Sequence, residues 1–122
     1  MGGKLPAMVL DDDPLPRLRA LCLAQPGATE KISHGEPTWF AGKKGVFVMF
    51  SDHHHDGRVA FHCAAPEGMQ ETLVQTRPER FFRPPYVGHR GWLGVYLDTP
   101  GVDWDEVADF VETAYEIVSR RR

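Results

Sequence analysis

An α+β domain, with helices packed on an antiparallel sheet, is the fold class this sequence predicts, and three observations predict it. Helix start and stop signals stand towards both ends of the chain. Short β-type runs fill the middle. Tight glycine-bearing links join those runs, which makes neighbouring strands antiparallel. The expected order is α-β(3)-α-β(2)-α in one domain over 13–122, behind a flexible tail over 1–12.

The first helix is signalled by Asp13 as a cap, Pro14 at the first helical position, and an apolar face of Leu15, Leu18, Leu21 and Cys22. Asp11 and Asp12 also suit a helix N-terminus, and Pro26-Gly27 stops the helix. The runs TEKISH, PTWFAG, GVFVMFS and GRVAFHC follow as a meander. In GVFVMFS both alternation sets are apolar, the mark of a central strand either covered on both faces or wrapped by helix on one side. In GRVAFHC, Val59, Phe61 and Cys63 stand opposite Arg58, Ala60 and His62, so His62 faces away from the core. A short helix is expected over 66–76, with Met69 and Leu73 one turn apart and Pro78 ending it. The last helix opens on a capping box of Asp103 and Glu106 and carries a stripe of Val107, Phe110, Val111, Ala114 and Val118. Acids in its first turn and Arg120, Arg121 and Arg122 at its end complement the helix dipole.

A chain of 122 residues, 42% hydrophobic and 25% charged, can bury a core without disulfides or metals, so one folded domain is expected. Its formal charge of −3 leaves no global positive field to attract nucleic acid or an anionic membrane. Any such partner must meet a local patch. Cys22 and Cys63 form neither a disulfide framework nor a zinc-ligand spacing, which points to a reducing cytoplasm. No signal peptide or membrane-spanning stretch is evident.

The segments PGATEKISHGEPTWFAGKKGVFVMF, PPYVGHRGWLGVYLD and AYEIVSRR, taken in this order, resemble the MmcQ/YjbR family of small bacterial proteins. The resemblance lies in a combination: Pro26-Gly27, then Gly35, Pro37 and Phe40 leading to Lys43 and Lys44, then Pro85, Tyr86, Gly91 and Trp92. It implies a fold similar to that of type III secretion chaperones. It also implies a DNA-binding role, through likeness to a double-wing DNA-binding domain. The sequence departs from the family pattern at His34, where members often carry Trp, and at Ala114, where Ser is common.

One stretch, RPERFFRPPYVGHRGWLGVYL over 77–97, concentrates positive charge. Its four arginines outweigh Glu79 among five aromatic rings, a composition suited to phosphates and stacked bases. The DNA-binding candidates are therefore Lys43, Lys44, Arg58, Arg77, Arg80, Arg83 and Arg90 for phosphates, with Tyr86 and His89 stacking or reading a groove. The competing structural reading has the arginines lying over rings and shielding a strand edge. No base-recognition helix is evident, so specificity should be weak or shape-based.

Two other classes compete. A protein or peptide could dock on the exposed sheet face, as in a secretion chaperone, with the chain a monomer or small homo-oligomer. A small-ligand protein or enzyme would need a pocket lined by His34, Trp39 and His62. No cofactor, metal or catalytic residue is assigned. Adjacent Cys63 and His62 point to opposite faces of a strand and cannot act as nucleophile and base. The run His53, His54, His55 lies between Asp52 and Asp56, where successive residues of a tight link point different ways; a solvated hairpin tip is expected there.

Overall fold

The computed structural model describes residues 13–53 and 56–121. The expected tail over 1–12 with Asp11 and Asp12, the histidines His54 and His55, and Arg122 lie outside the described residues. Helix α1 spans Leu15–Leu23 and buries Leu18 and Cys22 completely. Pro14 is its N-cap, and the Asp13 carboxylate accepts from the Leu15 N–H at 3.1 Å.

Strands β1 (Ala28–Ser33), β2 (Glu36–Ala41), β3 (Val46–Asp52) and β4 (Val59–Cys63) follow, then α2 (Met69–Thr76), β5 (Phe81–Phe82), β6 (Leu93–Tyr96) and α3 (Trp104–Ser119). They build a six-stranded antiparallel sheet in the order β1-β2-β3-β4-β6-β5. Four strands, one more than expected, precede the middle helix, because TEKISH and PTWFAG each become a full strand. The two are joined by His34-Gly35 with φ of +54° and +83°, the left-handed pair that a two-residue hairpin turn needs.

Register assigns the faces. Trp39 pairs with Val48, Val48 with Cys63 and Cys63 with Leu93; one step along, Phe50 pairs with Phe61 and Phe61 with Val95. All seven are buried in one core beneath α1 and α3, whose stripe is Val107, Phe110, Val111, Ala114 and Val118. The pairing slips between Trp39 and Phe40, so Phe47 has no partner on β2, while its carbonyl accepts from the Ala64 N–H on the other side. This bulge lets adjacent Phe47 and Val48 both be fully buried, and Phe47 meets the Tyr115 ring edge-on at 5.4 Å. The apolar run in GVFVMFS thus has two causes: the bulge, and cover on the sheet's second face.

Asp103 caps α3 by accepting from the N–H groups of Asp105 and Glu106, each at 3.1 Å. The expected capping box is only half formed. The Glu106 carboxylate turns instead to Arg77, binding both guanidinium ends at 2.7 and 3.0 Å. At the other edge, Glu30 on β1 receives Arg19 at 2.9 Å and the Trp39 indole N–H at 2.9 Å. The Arg19 hydrogen bond, helped by that of Trp39, holds the Glu30 carboxyl below its ordinary range against the opposing effect of burial.

Candidate functional site

The second face of the sheet is built from the opposite parity of the same strands. Thr38, Met49, His62, Gly94 and Phe82 form one row across five strands, and Ser51, Ala60 and Tyr96 form the next. No helix is needed to bury this face, because the segment 84–87 passes over it.

That roof is anchored at both ends. Pro84 is fully buried, and behind the roof a 3₁₀ turn, Gly88–Arg90, is held by Gln70 of α2. The Gln70 side chain is itself buried and donates to the carbonyls of Gly88 at 2.9 Å and Trp92 at 2.5 Å. Between the anchors the chain folds back sharply: the Val87 N–H donates to the Pro85 carbonyl at 2.7 Å, across Tyr86 with φ of +67°. This is a γ-turn of the rare, strained kind, and a bulky aromatic residue adopts such a φ at a cost of about 1–3 kcal/mol. The Tyr86 side chain is 82% exposed, so packing of its ring into the core does not offset the strain.

Under the roof lies a cavity of about 510 Å³, lined by His34 and Glu36 at the mouth, Thr38, Met49 and His62 on the sheet, and Pro85, Tyr86 and Val87 above. A second lobe of about 380 Å³ shares Ser51, His62 and Pro85 with the first and ends at Asp56, Arg83 and Tyr96. His62 is thus the floor where the two lobes meet. It faces away from the helix-covered core, yet it is only 6% exposed, and its ring meets Phe82 edge-on at 5.6 Å. Of the three residues expected to line a pocket, His34 and His62 do so. Trp39 does not: its neighbour Thr38 takes the cavity side of β2, and alternation sends the indole into the core.

The expected DNA-contacting residues are dispersed, and several are occupied. Arg58 grips Asp98 in a bidentate pair at 2.9 and 2.7 Å while its guanidinium stacks 3.7 Å over Tyr96. The same hydrogen bonding holds the Asp98 carboxyl below its ordinary range. Arg77 pairs with Glu106 and lies over Phe81; Arg80 donates to the Gly101 carbonyl at 3.3 Å. Arg90 lies over Trp92, and Arg83 packs along Gly88. Arg83, Tyr86, His89 and Arg90 are exposed. Lys43 and Lys44 stand apart at the β2–β3 turn, with β4 and β6 between them and the β5 arginines. The mixture of arginine and aromatic residues in 77–97 therefore serves largely to staple the chain to itself.

Sequence reasoning missed Gln70, Met49 and Ser51. Gln70 carried a legible signal, a polar residue three before Leu73 on an otherwise apolar helix face. It also missed a cationic cluster at the far end of the sheet, where the Lys44 ammonium donates to the Arg121 carbonyl. A side chain at Gly45 would meet the Arg121 guanidinium at 3.6 Å. Lys43, Lys44, Arg120 and Arg121 thus gather where α3 ends.

The two cysteines are free and buried, and burial pushes the Cys63 thiol up to about 12 and raises that of Cys22 as well. Among the described residues no group of three or more His, Cys, Asp or Glu could hold a metal, and no helix is long and apolar enough to cross a membrane. A family model described as YjbR matches residues 23–117, most of the chain. No curated protein matches the sequence.

Proposed function

The chain belongs to the YjbR family, and from that premise we propose that it is a binding protein holding a small, largely apolar ligand between the second sheet face and the 84–87 roof. The observation that carries this reading is the roof itself. A strained γ-turn at Tyr86 is held over a cavity of about 510 Å³, within the range of small-molecule sites, roughly 300–1,000 Å³. Its walls are mainly apolar, and a few polar groups converge on it from His34, Glu36, Ser51 and His62.

The neutral probe 4-phenylbutan-1-ol, titrated into ¹⁵N-labelled protein, tests the reading. Saturable shifts confined to the amides of Thr38, Met49, Ser51, His62 and Val87 are expected. Ser51→Trp, which places an indole where both lobes meet, should abolish them. Shifts scattered over the surface, or unchanged in Ser51→Trp, would refute the proposal.

A second reading, DNA binding with little sequence specificity, is favoured by one observation, the cluster of Lys43, Lys44, Arg120 and Arg121. Arg58 and Arg77 are poor candidates for this work because each is already closed on a carboxylate of the same chain. In fluorescence anisotropy across a salt series, K43A/K44A/R120A/R121A should lose duplex binding and its salt slope, as expected when phosphate contacts are removed. R77A/R80A should keep both and lose stability. The reverse pattern would return the DNA reading to the 77–97 stretch.

A further inference from the structure

We infer that the free edge of β1 is a self-association surface, on which a second copy of this chain pairs its own β1 antiparallel with Ile32 on the twofold axis. The two edges of the sheet differ. Strand β5 at one edge has two residues, too few to carry a further strand, whereas β1 at the other has six. Its outward main-chain groups follow from its pairing with β2. Ile32 stands opposite Pro37, which has no N–H to exchange, so this is an open pair of the ladder, and Ile32 and Glu30 turn their N–H and C=O groups to the free edge. Ser33 opposite Glu36 closes the two-residue hairpin as a bonded pair. Its carbonyl therefore points inward, and the trans peptide that follows sends the His34 N–H outward.

Edge strands are ordinarily guarded by charged side chains, and here the guards are spent inside the chain. Glu30 receives Arg19 and the Trp39 indole. The Lys31 ammonium lies 5.2 Å from the centroid of the Phe40 ring, drawn towards β2 and away from the edge. Ile32 beside them is 67% exposed. Symmetry and charge identify the occupant as a second copy. A twofold axis through Ile32 matches its N–H and C=O with the same groups of the other copy and lays the two isoleucine side chains together, with Lys31 opposite Ser33 and Glu30 opposite His34. An axis on Glu30 or Lys31 would instead set like charges face to face. Nearer Ala28 the edge is closed, because that N–H is already given to the Gln25 carbonyl at 3.1 Å. Since β5 cannot continue the ladder, assembly stops at two copies.

Sedimentation equilibrium of the whole chain from about 10 μM to about 1 mM tests the inference, because one strand pair lies at the small, weak end of specific interfaces, below about 1,200 Å². A monomer–dimer equilibrium is expected. Ile32→Pro removes the outward N–H and the exposed side chain but no bond between β1 and β2, so it should leave the chain folded and weaken the dimer at least about tenfold. Cross-linking reads the register independently. Bonded partners across an antiparallel pair stand about 5.5 Å apart at Cα, within disulfide reach, so Ile32→Cys should form a covalent dimer about tenfold faster than Lys31→Cys, whose counterpart is Ser33. The native Cys22 and Cys63 are buried and do not compete. A chain that stays monomeric at about 1 mM, a dimer that survives Ile32→Pro, growth beyond two copies, or equal cross-linking of the two cysteine variants would overturn the inference.

Discussion

Replacing Gln70 by leucine should destabilise the protein by about 2–4 kcal/mol, because two buried carbonyl groups would each lose a donor at roughly 1–3 kcal/mol per orphaned group. The carbonyls are those of Gly88 and Trp92, and the Gln70 amide nitrogen donates to both. Leucine has a similar volume, so the loss reports the polar bonds rather than a cavity. The effect should be local before it is global. Amides over 85–91 should exchange with solvent faster in Gln70→Leu, while those of β3 and β4 stay protected, since this side chain holds one of the two anchors of the roof. Gln70→Glu gives an independent check. At neutral pH an ionised carboxylate has no proton to donate and faces two carbonyl oxygens, so the loss should be at least as large. In acid, the protonated form regains one donor and part of the stability. Denaturant melts showing a loss under about 0.5 kcal/mol in both variants would remove Gln70 as the anchor of the roof.

Gly94→Ala should cost about 1–3 kcal/mol, the usual range for overpacking a filled site. A Cβ built on Gly94 would stand 2.5 Å from two ring carbons of Phe82, whose strand position pairs directly with it. The ring has little room to retreat. It stacks on Tyr96 with centroids 4.6 Å apart and abuts His62, and Tyr96 in turn carries Arg58. Strand β5 has only two residues, so displacing Phe82 should loosen that edge of the sheet and open the smaller lobe of the cavity. The double variant G94A/F82A isolates the cause. If the clash is with the ring, Gly94→Ala should be nearly harmless once Phe82 is alanine, and the cycle should show a coupling of about 1–3 kcal/mol. Strictly additive losses would show that Gly94 matters for another reason.

The site was legible in the sequence only in fragments. His62 could be placed on the face away from the core, because alternation in β4 is regular and both neighbours of the strand pair without interruption. Met49 could not, because the bulge beside Trp39 changes parity within β3 and detaches Phe47 from the alternation. Trp39 has the chemistry of a pocket residue, yet its ring lies in the core and its indole N–H reaches out to the partly exposed Arg19 and Glu30 pair at the β1 edge. The arginines of 77–97 stand out in sequence as a concentrated charge, but Glu106, the partner of Arg77, lies 29 positions away, just as Asp98 lies 40 from Arg58.

By itself the sequence determined the elements whose signals are local. The α1 stop at Pro26-Gly27, the His34-Gly35 hairpin, the Asp103 cap and the apolar stripe of α3 each depend on residues a few positions apart, and backbone sterics or short hydrogen bonds decide them. Only the tertiary structure decided which charges are spent inside the molecule, which face each β3 residue takes past the bulge, and that segment 84–87 roofs the sheet. Those outcomes depend on groups far apart in the chain competing for one another in space. An arginine near an aromatic ring reads the same in sequence whether its carboxylate partner belongs to this chain or its phosphate partner to another molecule.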